Sequence, residues 1–263
     1  TPLIQRQLAD PKTNTAMTFP DQQSLSVIRP QAVLFHGCRD LSLIQLLREA
    51  GPVRVGTSSK LDNDDTLDKM ILNQITPTTK RRLHGVTLWA CCWSGDKNNQ
   101  DRTIRVLNFC RRWFEFDEVV LFSHLPLPLG MSRWCRYIQT PHLDTAGWNI
   151  FHNRIVPLAL RTKFAMSVHE DGFPIMPGLW RNEFLEYDYI GAPWSDGVVG
   201  NGGFCIESSK FMAAKMNLPP YQFGAKIASD YYTCRVHRKE MEAQGIKFAP
   251  VDIAVEFSTE LTG

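Results

Sequence analysis

The segment His169-Glu170-Asp171-Gly172 carries the residue types of a metal-binding turn. An apolar run over residues 164–168, which predicts a strand, leads directly into two carboxylates and a glycine that permits a tight turn. Oxygens of Glu170 and Asp171 are ligands that suit Mg²⁺ or Mn²⁺, and such an ion neutralises a diphosphate. A solvated acidic turn explains the same residues, because Asp-Gly is a common turn dipeptide.

A second segment, VVGNGGFCI over residues 198–206, is rich in glycine. Its backbone can approach a ligand closely, and N–H groups around Asn201, Gly202 and Gly203 can donate to phosphate or sugar oxygens. It is not a Walker loop, and it lacks the GxGxxG spacing of dinucleotide-binding proteins. The alternative is a glycine-rich hairpin without a ligand.

Asp230 lies in the segment ASDYY, about 27 residues after the glycine-rich segment. A carboxylate there could remove the proton of a hydroxyl group as a general base. Ser229 or Asp230 could instead cap a helix that extends to about Ala243.

The connection WRNEFLEYDYIGAPW, residues 180–194, is dense in aromatic and acidic side chains. It is explained either as a packed connection or as the wall of a sugar pocket. In the second interpretation Asp188, Tyr189 and Trp194 line the pocket, since aromatic faces stack well on sugar rings.

Hydrophobic periodicity predicts the elements that would position these residues. In the N-terminal part, strands are predicted over residues 32–36 and 53–57, and helices over residues 41–50 and 63–74. Further along, strands are predicted over residues 85–92, 118–123 and 164–168, and helices over residues 101–114 and 148–160. This alternation predicts an α/β fold with a mostly parallel sheet, in which ligands bind beyond the carboxyl ends of the strands. We expect an N-terminal α/β extension over residues 1–80 and the main domain over residues 81–263.

Composition narrows the functional classes. The chain has 263 residues and a net charge of +2, which gives no strong reason to expect nucleic acid as a partner. The seven cysteines show no CxxC or zinc-knuckle spacing, so we expect buried free thiols of a reducing compartment. No stretch is apolar enough to span a membrane, and residues 1–30 do not read as a secretion signal. We therefore expect a soluble cytoplasmic protein.

Taken together, the motifs resemble the DUF5672 family of glycosyltransferase-like domains. That family has a Gln-x-Asp-Gly motif after a strand, then WxxEFLxYDYIGAPW, VGNGGF, an Asp-bearing helix, GIxFAP and FSxE. The corresponding segments here, all in the same order, are residues 169–172, 180–194, 199–204, 229–230, 245–250 and 257–260. The resemblance covers roughly residues 85–260.

The resemblance implies a GT-A-like fold, in which a Rossmann-like nucleotide half and an acceptor half share one sheet. It implies a glycosyltransferase, inverting and metal-assisted, that uses a nucleotide sugar, with a UDP-sugar favoured. Asp171 would bind Mn²⁺ or Mg²⁺ with help from Glu170, and Asp230 would be the catalytic base. The donor would contact Trp89, Ala90, Cys91, His169, Glu170, Asp171 and Gly172. Donor sugar and acceptor would contact Asn201, Gly202 and Gly203.

The acceptor implied by the resemblance is a glycan or a lipid-linked sugar. A DNA-modifying enzyme that acts on hydroxymethylated bases is an alternative, suggested by basic and aromatic residues between Lys80 and Arg136. A non-catalytic sugar- or nucleotide-binding module is another, although such a module needs neither Asp171 nor Asp230. A sugar-nucleotide pyrophosphorylase is a third, but residues 93–101 contain one glycine and one lysine, which is poor for an activating loop.

Overall fold

The structure is a computed structural model that describes residues 34–36, 79–93, 96–174, 177–220 and 227–260. The predicted strand over residues 32–36 is present as β1, Leu34–His36. The predicted elements over residues 41–50, 53–57 and 63–74 lie outside the described residues. The N-terminal extension as a separate unit therefore stays a prediction.

Apolar runs of the sequence form the strands of a central sheet. After β1 the strands are β2 Arg81–Cys92, β3 Phe114–Ser123, β4 Arg136–Gln139, β5 Phe164–Ser167, β6 Gly172–Pro174, β7 Tyr189–Pro193, β8 Val199–Ser208 and β9 Thr259–Glu260. Six of them form one sheet in the order β4-β3-β2-β5-β8-β7. Strands β4, β3, β2 and β5 are parallel to one another, and β8 runs antiparallel to both β5 and β7. The predicted α/β fold with a mostly parallel sheet is confirmed.

Helices cover this sheet. They are α1 Lys97–Trp113, α2 Thr145–Ile150, α3 Val156–Ala159, α4 Ser209–Met216, α5 Ser229–Tyr231, α6 Arg238–Ala243 and α7 Val251–Phe257. A π-helical turn over Phe151–Ile155 links α2 to α3, and a second over Tyr232–Val236 follows α5. Short 3₁₀ turns occupy Met131–Arg133, Pro177–Leu179 and Asn182–Glu186.

Helix α1 begins earlier than the periodicity predicted, because Asp96 caps it. The Asp96 carboxylate accepts a hydrogen bond from the Asn99 backbone N–H at 3.1 Å, which satisfies one of the unpaired donors of the first turn. Arg111 and Arg112 in the last turn complement the negative end of the helix dipole.

Alternation along β2 divides the core between the two faces of the sheet. Leu88, Ala90 and Cys92 belong to one buried cluster, whereas Trp89 and Cys91 belong to the other. This is the period of two that a strand imposes on its side chains. The first cluster includes the buried face of α1, and the second includes residues of the α2–α3 segment and of α4.

A three-stranded sheet, β6-β1-β9, lies beside the main one. Strand β1 pairs antiparallel with β6, so that Phe35 is opposite Phe173, and parallel with β9. Residues from the N-terminal part of the chain therefore support the strand that follows Asp171. In the described ranges no helix is long and apolar enough to cross a membrane.

The thiol prediction holds for six cysteines. Each cysteine in the part of the chain that the structure describes is buried and free of disulfides; Cys38 lies outside it. Burial raises the pKa of the Cys92 thiol to about 11 and raises that of Cys91 as well. These thiols are therefore protonated at neutral pH and act as small apolar side chains.

Candidate functional site

The four parallel strands place a topological switch point between β2 and β5. Numbered within the main sheet alone, their order is 3-2-1-4, and in such sheets ligands bind beyond the carboxyl ends of the strands where the order reverses. Strand β2 ends at Cys92, and β5 ends at Ser167, opposite Trp89 of β2. The segment His169-Glu170-Asp171 follows β5 directly and so lies at this point.

A tight turn presents the two predicted metal ligands. The His169 N–H donates to the Gly172 carbonyl at 2.9 Å, and the Gly172 N–H donates back to the His169 carbonyl at 3.3 Å. Glu170 and Asp171 occupy the two positions between them. Gly172 is not among the positive-φ residues of the described ranges, so the turn does not depend on a left-handed glycine.

Ligand atoms of His169, Glu170 and Asp171 all lie within 4.8 Å of one another. Two carboxylate oxygens and one imidazole nitrogen form a donor set that fits Mn²⁺, which accepts both ligand types. The three side chains are half-buried rather than fully exposed. The arrangement is therefore compatible with the predicted metal.

Asn99 supports this turn and was missed by sequence reasoning. Its Nδ2 donates to Glu170 Oε1 at 3.2 Å, from the first turn of α1. The helix that follows β2 must start at the carboxyl edge of the sheet, so a polar residue in its first turn was the available signal. Fixing one oxygen of Glu170 orients the other.

Asp230 is held against the glycine-rich strand. Its Oδ2 accepts a hydrogen bond from the Gly202 N–H at 2.9 Å, and its Oδ1 accepts one from the Tyr231 N–H at 2.7 Å. A Cβ atom on Gly202 would lie only 2.9 Å from the Asp230 Cβ. Glycine is required there for the close approach of Asp230. The sequence suggested that a ligand makes this approach, but the Gly202 N–H donates to Asp230 and the Gly203 N–H donates to Asn201 Oδ1.

The environment of Asp230 shifts its titration. Burial raises the pKa of the Asp230 carboxyl above the ordinary value, and the hydrogen bonds from Gly202 and Tyr231 oppose that shift. His169 is close enough to oppose it as well. A carboxyl with a raised pKa is a better match for a general base at neutral pH than an exposed aspartate.

The register of β5 against β8 brings the two groups together. Ser167 is paired with Cys205 in an antiparallel ladder. Beyond this pair, the His169 side chain lies close enough to Asp230 to act on the pKa of its carboxyl group. The structure therefore gathers at one edge of the sheet the turn His169-Glu170-Asp171, the glycine strand and Asp230.

Tyr189 and Trp194 lie beneath the glycine strand. The Tyr189 phenol donates to the carbonyls of Gly200 and Asn201 at 2.7 and 2.9 Å, and Tyr189 is only 1% exposed. The Trp194 ring packs so closely on Gly200 that a Cβ atom there would lie 2.4 Å from it. Both side chains fix the shape of β8, and the Asn201 side chain accepts from the Gly203 N–H at 3.1 Å.

The structure does not bring Asp188 to this group. Asp188 Oδ1 accepts from the Ser208 hydroxyl at 2.7 Å, and its Oδ2 accepts from the Lys247 N–H at 2.9 Å. Ser208 pairs with Phe164 at the start of β5, which is the opposite edge of the sheet from Asp171. Asp188 therefore joins β7, β8 and the chain near Lys247.

The residues at the end of β2 that were predicted to contact the nucleotide have buried side chains on the two faces of the sheet. Trp89 and Ala90 have 1% and 0% exposure, and Cys91 is also buried. Trp89 stacks on His152, with ring centroids 5.7 Å apart. Trp93, the residue after β2, is half-buried and stacks on Trp148 at 5.7 Å.

Several of the basic residues that suggested DNA are engaged within the protein. Arg82 contacts Glu115 and lies 2.8 Å from Asp117, and Arg136 contacts Glu118 at 2.6 Å. Arg111 lies over the Trp134 ring at 4.0 Å, and burial lowers its pKa. The charges of Arg82 and Arg136 are therefore largely balanced by neighbouring acids.

Comparison with known proteins gives one result for this region. No functionally curated protein matches the chain. A family model matches residues 158–263, which include the turn with Asp171, strand β8 and Asp230. The resemblance read from the motifs is thereby confirmed for this part of the chain: residues 158–263 match the DUF5672 family, whose description is protein of unknown function.

Proposed function

We propose that the protein is a glycosyltransferase that moves a sugar from a nucleotide sugar to an acceptor hydroxyl. One observation carries the proposal. A carboxylate with a raised pKa, Asp230, is fixed by Gly202 beside a potential metal-binding turn, at the switch point of a mostly parallel sheet. This reaction requires a general base for the acceptor hydroxyl and a site that binds the diphosphate of the donor. The two must lie close together, at the same end of the sheet.

The strand order supports a GT-A-like assignment. The four parallel strands β4, β3, β2 and β5 would form the nucleotide half, and β8 and β7 continue the same sheet toward the acceptor half. The site proposed here lies where the two halves meet. Fold analogy alone does not establish a reaction, so the assignment depends on the side chains at this junction.

Asp171, Glu170 and His169 would hold Mn²⁺ or Mg²⁺. The ion supplies positive charge that stabilises the diphosphate as it leaves. Asn99 keeps Glu170 oriented toward it through the bond to Oε1.

Asp230 would perform the proton transfer. The acceptor oxygen forms a bond to the anomeric carbon while its proton passes to the Asp230 carboxylate, and the bond from that carbon to the nucleoside diphosphate breaks. A single displacement of this kind inverts the configuration at the anomeric carbon. The Gly202 and Tyr231 N–H groups keep the carboxylate in place before the reaction.

We propose a UDP-sugar as the donor and a glycan or lipid-linked sugar as the acceptor, in the cytoplasm. A DNA acceptor has less support, because Arg82 and Arg136 are already paired with acids. Binding of the donor can be measured without knowing the acceptor.

The test is a thermal-shift measurement with nucleoside diphosphates and nucleotide sugars, with and without Mn²⁺. Ligand binding to the native state raises the melting temperature according to ligand concentration and Kd. We expect a shift with one nucleotide family that requires Mn²⁺ and is lost in Asp171→Asn. Asp252→Asn, which changes an exposed carboxylate on α7, is the matched control and should keep the shift. A wild-type protein that shows no shift with any nucleotide would contradict the proposal.

A further inference from the structure

An exposed aromatic side chain follows the proposed base directly. Tyr231 is 41% exposed and is the residue after Asp230 on α5. Asp230 itself is half-buried, so both residues reach the surface of the protein. Single exposed rings are common on protein surfaces. The exposure of Tyr231 therefore identifies no site by itself, but its position and its neighbours do.

The Tyr231 ring borders the same face of β8 as the base. A Cβ atom on Gly200 would lie 2.4 Å from the Trp194 ring. One on Gly202 would lie 2.9 Å from the Asp230 Cβ. Residues i and i+2 of a strand point to the same face and are roughly 7 Å apart, so the Trp194 ring and the base are neighbours on this face. The Tyr231 ring packs on the Trp194 ring, with centroids 5.9 Å apart, and so lies beside the base as well.

Arg235 holds the two rings in place. Its guanidinium lies over the Tyr231 ring at 5.4 Å and over the Trp194 ring at 5.7 Å. It also forms an ion pair with Asp196, in the hairpin between β7 and β8. Cation–π contacts within about 6 Å are attractive, so the Tyr231 ring has a defined orientation in the free protein. A ring that is fixed in advance loses little side-chain entropy when a ligand binds to it.

The hairpin that carries Asp196 is fixed by its own hydrogen bonds. The Gly197 N–H donates to the Trp194 carbonyl at 2.8 Å, and the Trp194 N–H donates to the Val198 carbonyl at 2.9 Å. Asp196 Oδ1 accepts from the Val198 N–H at 3.3 Å. The side chains of Asp196 and Arg235 are both partly exposed. A carboxylate and a guanidinium have more acceptor and donor positions than one ion pair uses, so this pair can also bind hydroxyl groups.

The arginines near the Tyr231 ring are already paired with acids. Arg235 is paired with Asp196. Arg238, three residues further along the chain, is paired with Glu242 at 2.7 Å. A nucleic-acid acceptor needs cations for its phosphates, and neither of these arginines is unpaired. An aromatic face beside a paired acid and base instead suits a neutral ring that has an apolar C–H face and hydroxyl groups at its rim. The ligand chemistry is that of a sugar.

We infer that a sugar ring of the acceptor stacks on Tyr231 and that Arg235 and Asp196 bind its hydroxyl groups. The inference rests on the proposed function, because it takes Asp230 as the base. The Tyr231 N–H donates to Asp230 Oδ1 at 2.7 Å, so the stacking ring and the base keep a fixed relation to each other. Tyr231 thereby orients the acceptor hydroxyl toward Asp230, and the acceptor class narrows to saccharides.

The test measures sugar binding and nucleotide binding separately. Saturation-transfer NMR gives the Kd of each of a panel of methyl glycosides, with Mn²⁺ and the nucleoside diphosphate that causes the largest thermal shift. Calorimetry gives the Kd of that nucleotide. In Tyr231→Ala we expect about 10-fold weaker binding of the glycosides, as for loss of one aromatic stacking contact, and an unchanged Kd for the nucleotide. Tyr231→Phe keeps the ring and should bind the glycosides as the wild type does.

Val251→Ala is the matched control, because it truncates another exposed apolar side chain, 45% exposed on α7. It should change neither Kd. If Tyr231→Ala binds the glycosides as the wild type does, or if the wild type binds the nucleotide but none of the glycosides, the stacking role of Tyr231 is overturned and the proposed function stands. A wild type that binds no nucleotide would refute the proposed function itself and the inference with it.

Two further ligands identify the kind of acceptor. The sugar that binds best is compared as its methyl and its octyl glycoside. Equal affinities indicate a glycan and tighter binding of the octyl glycoside indicates a lipid-linked sugar; both support the inference when Tyr231→Ala weakens them. A single-stranded DNA oligonucleotide that binds more tightly than every glycoside, and that loses affinity in Tyr231→Ala, would overturn the inference, because the ring would then stack on bases.

Discussion

Acidic side chains have different surroundings at the two edges of the main sheet, the one where the parallel strands begin and the one where they end. At the edge where β2 and β3 begin, Glu115 and Asp117 are paired with Arg82 in partly exposed ion pairs. At the opposite edge, Asp230 is held by backbone N–H groups and has a raised pKa. Exposed ion pairs contribute little to stability, and each partner can be replaced at small cost. A carboxylate fixed by the backbone and partly removed from water has a defined position and an altered pKa, which are the properties that catalysis needs.

The largest difference between the edges is expected for Asp230→Asn. Removing a positioned general base costs roughly 10²- to 10⁴-fold in rate, so the turnover rate should fall by that much while the fold persists. Glu115→Gln at the other edge should leave turnover unchanged. The comparison is measured as sugar transfer to an acceptor, with circular dichroism as the check on folding. Near-wild-type turnover in Asp230→Asn would remove the assignment of the base.

A smaller effect is expected for Gly202→Ala, which disturbs the support of Asp230 rather than the carboxylate. The added Cβ would lie 2.9 Å from the Asp230 Cβ, so Asp230 must move. A displacement of about 1 Å in a catalytic group can cost about 10²-fold in rate. Gly178→Ala is the control, because a Cβ there meets nothing within 4 Å. If both variants keep full turnover, the close approach of Gly202 has no catalytic role.

Tyr189→Phe should change the pH dependence of turnover. The phenol fixes the Gly200 and Asn201 carbonyls, and Gly202 follows directly with the N–H that favours ionised Asp230. If that N–H is less well placed, the pKa of Asp230 rises further above its ordinary value. Since the base acts when ionised, kcat/KM increases as pH rises through this pKa, so the acid limb should move to higher pH.

Loss of the phenol should also lower the free energy of unfolding by about 1–3 kcal/mol, because two buried carbonyls lose a donor. Tyr187→Phe, at another buried tyrosine, is the control for ring packing and should keep the wild-type pH profile. A Tyr189→Phe protein with reduced stability but an unchanged acid limb would show that Tyr189 supports only the fold.

The smallest effect is expected for Arg136→Gln, at the edge where β2 and β3 begin. This change breaks two hydrogen bonds to Glu118, of 2.6 and 2.9 Å, and one to the Ala159 carbonyl, of 2.8 Å. We expect a loss of about 1 kcal/mol in the free energy of unfolding, measured by urea denaturation, because the pair is partly exposed. Nucleotide binding should be unchanged. A large loss of nucleotide affinity would instead place Arg136 in a binding surface. The ion pairs at this edge would then not be purely structural.

Local patterns predicted much of the fold. The apolar runs over residues 85–92 and 164–168 and the helix over residues 101–114 were found near their expected bounds, because burial of one strand face or helix face leaves a periodic trace in the sequence. Other features escaped this reasoning, among them the two outer strands β4 and β7 of the main sheet. The cap at Asp96 extends α1 toward its N-terminus, and the π-helical turn Phe151–Ile155 interrupts the helix predicted over residues 148–160.

The sequence by itself determined those parts of the site whose residues are neighbours in the chain, because such residues are also neighbours in space. Glu170 and Asp171 follow a buried strand, so their place at a strand end was predictable from the chain alone. The glycines of β8 were also recognisable, although the reason for Gly202 is the approach of Asp230 rather than an unusual φ.

Only the tertiary structure decided which distant residues meet. The register of β5 and β8 brings Gly202 and Asp230 to the turn with Asp171, places Tyr189 beneath them and sends Asp188 to the other edge. It also buries His152 behind the site, where sequence reasoning saw only a helix. Sheet register and helix packing follow from the shape of the whole core, and no local pattern of residue types records them.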